Sequence, residues 1–78
     1  MDKDFNALRK ALGANVRRLR KAQDLSQEEL AFEAGIDRTY VSQIERGIIN
    51  PSLLVLYKIG TVLRTEVASL LSRRGTAP

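Results

Sequence analysis

The sequence predicts an all-α chain, a compact five-helix bundle, on three observations. Apolar residues recur at spacings of three and four in successive segments, the signature of helices with one buried face. Ser26, Asp37 and Ser52 stand where helix starts need a side-chain oxygen for their orphan amides. No segment alternates like a strand, and no repeat or low-complexity run is present. With 78 residues, the chain is expected to form one domain, residues 1–78, with a single economical core.

The first helix is expected from about Asp4 to Ala22, with Phe5, Leu8, Leu12, Val16 and Leu19 along one stripe. Gly13 interrupts it at a cost of roughly 1 kcal/mol relative to alanine, which points either to another backbone packing closely there or to a tolerated surface glycine. Asp24 and Leu25 turn the chain into a second helix, about Gln27 to Ala34, opened by a capping box of Ser26 and Glu29. Gly35 ends it where a left-handed backbone is needed, and Ile36 plugs the corner. Asp37 opens a third helix, about Arg38 to Arg46, which stops at Gly47.

The loop Ile48–Ser52 follows, because Pro51 pushes Asn50 out of the helical region. Ser52 caps a fourth helix, about Leu53 to Leu63, with Leu53, Leu56, Ile59, Val62 and Leu63 expected on the core side and Gly60 a weak point. A fifth helix, about Val67 to Ser72, is short, and residues 73–78 are expected to be a frayed tail.

Composition excludes several functions. The chain has no cysteine and no histidine, which removes disulfides, thiolate metal sites and the commonest general base. No paired acidic cluster or glycine-rich phosphate loop replaces them, so no enzyme chemistry, metal site or cofactor is expected. No apolar run approaches the ~20 residues needed to span a bilayer, and the N-terminus lacks a signal peptide's apolar stretch, so a cytoplasmic protein with no membrane partner is expected. The net charge of +4 is unevenly placed: Lys3, Arg9, Lys10, Arg17, Arg18, Arg20 and Lys21 oppose only Asp2 and Asp4 in the first 21 residues. Such asymmetry favours a polyanionic partner.

Residues Gln27 to Arg46 have the layout of a DNA-binding helix-turn-helix: two short amphipathic segments hinged at Gly35, with Leu30, Ala31, Ala34, Val41 and Ile44 buried between them. Ala31 marks the closest approach of the two axes. At 100° per residue with Val41 at zero, Ile44 and Glu45 fall inward, while Thr39, Gln43, Arg46 and Ser42 point outward between about 100° and 200°. Arg38 and Tyr40 lie on the flanks. Arg38 can bond guanine in two places, Gln43 can pair with adenine, and Thr39 offers a methyl to thymine. Arg46, one turn on, suits a phosphate, as does the Tyr40 hydroxyl; Ser42 and the Ser26 and Gln27 start of the second helix would position the backbone. Glu45 is an inward acid that needs a partner, and Arg20 or Arg17 is the candidate.

With those residues in view, the chain resembles the Cro and phage-repressor-like helix-turn-helix regulators, the Xre family, over about Leu12 to Leu71. LGANVRRLRKAQDLSQEELA, AGIDRTYVSQIERG and NPSLLVLYKIGTVL carry the resemblance, and DRTYVSQIERG is similar to the recognition helix of restriction-modification controller proteins. It implies the lambda-repressor-like fold, base contacts from Arg38, Thr39 and Gln43, phosphate contacts from Gln27, Tyr40 and Arg46, and an Arg20–Glu45 ion pair. Ile48 and Ile49 stand where many members are basic, Arg64 replaces a frequent glycine, and Glu66 replaces a capping serine or threonine, with Thr65 the substitute cap.

The expected function is a regulator that binds a palindromic site on double-stranded DNA as a homodimer, in restriction-modification control for its sharper form, with no small-molecule effector. Val67, Leu70 and Leu71, extended by Leu63 or Ile49, are the expected dimer surface, the alternative being that these leucines close the protomer's own core. The alternative is an antitoxin-like protein-interaction module of a toxin-antitoxin pair, which usually needs an extension beyond the fifth helix.

Overall fold

The computed structural model describes residues 3–73. Within them the chain forms α1 (Lys3–Ala22), α2 (Gln27–Ala34), α3 (Arg38–Glu45), α4 (Leu53–Leu63) and α5 (Val67–Leu70), with no strand. α1 and α2 both pack on α3, α4 closes against α2, and α5 bridges α4 and α1. Val16, Leu30, Val41, Ile44, Ile59, Leu63 and Leu70 are sealed at the centre. Each such aliphatic side chain contributes about 1.5–3 kcal/mol through burial, so α2 and α3, eight residues each, are held by packing rather than by intrinsic helix stability.

The helix ends follow local chemistry. Ser26 Oγ accepts from the Glu29 amide at 2.9 Å, and the Ser26 amide donates to Glu29 Oε1 at 2.8 Å, a complete capping box. Asp37 accepts from the Thr39 amide, and Ser52 from the Val55 amide. Gly35, at φ 70°, lets its own amide and that of Ile36 close the end of α2 on Phe32 and Ala31 carbonyls. Gly13 lies where α1 crosses the end of α3: a Cβ there would stand 2.5 Å from the Ile44 carbonyl oxygen and 2.6 Å from that of Glu45.

Several expectations are corrected. The core row of α4 is Val55, Ile59 and Leu63 at four-residue spacing, with Leu56 beside it; Leu53 falls on the other flank and is 72% exposed. Arg46 is the cap of α3 rather than its last residue. The fifth helix is one turn, ending at Leu70. Glu66, not Thr65, is its N-cap residue, and no side chain bonds its first amides. Thr65 instead closes α4, its amide donating to the Gly60 carbonyl at 2.9 Å. Arg64 takes the left-handed conformation at φ 59° that glycine usually fills. Of the expected tail, Arg73 donates to the Asp4 carbonyl at 2.8 Å, and residues 74–78 lie outside the described residues.

Candidate nucleic-acid interface

The interface is built on α3, whose inward face is fixed and whose outward face is open. Val41 and Ile44 are buried, and α1 reaches across to hold the C-terminal end. Arg20 grips Glu45 with two bonds, Nε to Oε2 at 2.6 Å and Nη2 to Oε1 at 2.9 Å, while its Nη1 donates to the Leu25 carbonyl at 2.9 Å. Gln27 Nε2 completes the group, donating to Glu45 Oε1 at 3.0 Å. Burial pushes the Glu45 carboxyl upward, but the hydrogen bonds from Arg20 and Gln27 and the charges of Arg20 and Arg17 outweigh it, holding its pKa below the usual carboxylate range. The Arg20 guanidinium is raised, chiefly by the same hydrogen bond. One carboxylate thereby ties α1, the start of α2 and α3 into a single rigid corner.

Opposite this corner, Arg38, Thr39 and Arg46 are exposed and Ser42 and Gln43 half-buried. Among the described residues, no hydrogen bond or ion pair engages the side chains of Arg38, Thr39, Gln43 or Arg46. Their donors are open to a ligand. Tyr40 is half-buried against the core, and its hydroxyl accepts from the Ser52 amide at 3.4 Å, leaving its own proton to give. Ser26 and Gln27 sit together at the opening of α2, but the Gln27 amide already serves Glu45. That second duty was not legible from the Gln27 position alone.

The structure divides the expected dimer surface. Leu63 and Leu70 are sealed inside the protomer's own core, so they have no surface to offer a second copy. Val67, Leu71 and Ile49 are half-buried at its edge. Larger apolar exposure lies on α4, at Leu53, Leu54 and Tyr57. Sequence reasoning also missed Asn15, a buried polar residue on α1 whose amide donates to the Leu70 and Ser72 carbonyls, each at 2.8 Å. Its place within an otherwise apolar stripe was the available signal. Among the described residues no group of acidic, cysteine or histidine side chains could hold a metal ion, and no helix is long and apolar enough to cross a membrane.

Comparison with known proteins agrees with this geometry. Residues 16–70 match the helix-turn-helix family. The chain is 43% identical over 67 residues to the control protein C.BamHI of Bacillus amyloliquefaciens, covering 85% of this chain and 83% of that protein. Among solved structures it is similar to the restriction-modification controller protein C.AhdI of Aeromonas hydrophila, at 45% identity and a TM-score of 0.77, covering 80% of this chain and 94% of that one. It is also similar to SinR, the master regulator for biofilm formation, solved in complex with DNA: 39% identity, a TM-score of 0.75, and 78% and 98% of the two chains covered. The family match over residues 16–70, with these likenesses in sequence and structure over most of the chain, places this protein in the Xre-type helix-turn-helix family of DNA-binding transcriptional regulators.

Proposed function

We propose that the protein acts as one helix-turn-helix domain in the cytoplasm, regulating transcription by binding a two-fold symmetric operator as a homodimer, without enzymatic activity of its own. The observation that carries this is the open outward face of α3, set against an inward face locked by Val41, Ile44 and the Arg20–Glu45–Gln27 group. A helix held this firmly can enter the major groove without losing further freedom. Arg38 at its first turn reads guanine, Gln43 and Thr39 read neighbouring bases, and Arg46, Ser42 and Tyr40 position the phosphates. Gln27 and Ser26 add the α2 N-terminus as a phosphate seat.

The dimer surface in this reading is Val67 and Leu71 of the α5 segment with Ile49, because two copies joined there present both recognition helices on one side. Control of restriction-modification genes is the narrower reading, supported by the resemblance to C.BamHI and C.AhdI over most of the chain. Sedimentation of the protein with a duplex carrying its selected site tests the assembly. Two chains per duplex, with affinity falling steeply as salt rises, are expected; one chain per duplex would reject the homodimer.

A further inference from the structure

We propose that Asn15 is a positioning residue for operator recognition: by anchoring the α5 segment to α1, it sets the distance between the two recognition helices and so the half-site spacing. The inference rests on the dimer reading above, in which Val67 and Leu71 meet a second copy. It begins from the weakness of α5. That helix is a single turn of four residues with no side-chain cap at its start, and it follows Arg64 in a left-handed conformation. A lone turn is not stable by itself, so its placement depends on what holds its end.

Asn15 does this. It is 2% exposed, and its Nδ2 donates to the Leu70 and Ser72 carbonyls at 2.8 Å, with the Ser69 carbonyl at 3.5 Å. Both amide hydrogens are thus used on carbonyls the short helix leaves unpaired. Arg18 Nη2 reaches the Asn15 Oδ1 at 3.4 Å, which orients the amide with its donors toward α5. The same helix that carries Asn15 carries Gly13 against the Ile44 and Glu45 carbonyls and Arg20 on the Glu45 carboxylate. α1 is therefore a rod clamped to the recognition helix through residues 13 and 20 and to the dimer segment through residue 15.

A dimer gains affinity from its second half-site only when the two recognition helices stand at the spacing that the DNA presents, so a loosened α5 loses avidity and spacing selectivity together. Leu70 alone, being apolar, fixes depth but not the orientation of the turn. The two carbonyl bonds fix orientation.

The test compares the unsubstituted protein with Asn15→Ala and the milder Asn15→Ser, using three duplexes: one half-site, the selected operator, and that operator with one base pair inserted at its centre. The unsubstituted protein must favour the operator over the single half-site; if it does not, the dimer reading itself fails. Given that preference, a folded Asn15 variant is expected to bind the single half-site within about twofold of normal, to lose roughly tenfold or more on the operator, and to discriminate poorly against the inserted base pair. A merely structural role would weaken all three duplexes alike. Folded variants that keep full spacing selectivity would overturn the inference, as would equal losses on all three. Should Asn15→Ala fail to fold, Asn15→Ser, which keeps one donor, decides by the same readout. Amide exchange adds a check: Leu71 and Ser72 should lose protection in the variant while Val41 to Glu45 keep theirs.

Discussion

Glu45 shows how one residue can be read from its angle yet understood only from its neighbours. Its inward position marked it as an acid needing a cation, and the structure supplies Arg20 on its carboxylate with Gln27 as a third member. Because the folded carboxyl has a lowered pKa, it binds a proton less readily than in the unfolded chain. Its contribution to stability is therefore present above the ordinary carboxylate range and lost as pH falls through the lowered folded value. Acid titration of melting temperature should show this loss, and Glu45→Gln should flatten that part of the profile. Removing Arg20 leaves the Glu45 carboxylate with Gln27 but without its bonded cation, so Arg20→Ala should cost about 3 kcal/mol in denaturant unfolding, whereas replacing both residues by apolar ones of similar size should cost much less. An Arg20→Ala protein of unchanged stability would show that solvent reaches Glu45.

At the scale of the element, most of the fold was legible because the helix starts are written in short-range chemistry. Ser26 with Glu29, Asp37 and Ser52 each cap the helix that the sequence assigned to them. Gly13 left two readings open, and the structure shows the close one: the middle of α1 crosses the end of α3 there. What stayed illegible depends on tertiary contacts. The flank of α4 on which Leu53 falls could not be chosen until Val55 was seen to pack. The end of α5 depends on Asn15, more than fifty positions earlier in the chain.

Two substitutions test these element boundaries. Gly13→Ala would press a methyl group into two carbonyl oxygens of α3, so it should destabilise by about 1–3 kcal/mol despite alanine's better helix propensity. Arg64→Gly relieves a left-handed conformation at the end of α4 and should stabilise by about 0.5–1 kcal/mol. Thermal melts of both proteins decide; the same sign for both would contradict the packing at one of the two sites.

For the whole molecule, the division of faces is what matters. The core side holds α3 still, the outward side carries uncommitted donors, and the α5 edge leaves Val67 and Leu71 half-buried, the surface proposed above for a second copy. A Leu71→Glu protein with normal helicity should sediment as a monomer and lose operator affinity by about tenfold or more, since avidity from the second half-site is gone. The outward face of α3 was legible from helical angle, because Val41 and Ile44 had to be inward. For the expected dimer surface, spacing could not separate enclosed from exposed residues: Leu63 and Leu70 share the helical spacing of Val67 and Leu71 but are enclosed by the protomer itself.

Selection of binding sites from a random duplex pool, run in parallel for the unsubstituted protein and Arg38→Ala, tests operator reading by this face of α3 most directly. The expected result is a two-fold symmetric motif with half-site centres about 34 Å apart for the first protein. For Arg38→Ala, preference should vanish at one position in each half-site, with a cost of about 1–3 kcal/mol on the original motif. Recovery of no symmetric motif by the folded protein, or of the same motif at undiminished preference by Arg38→Ala, would contradict it.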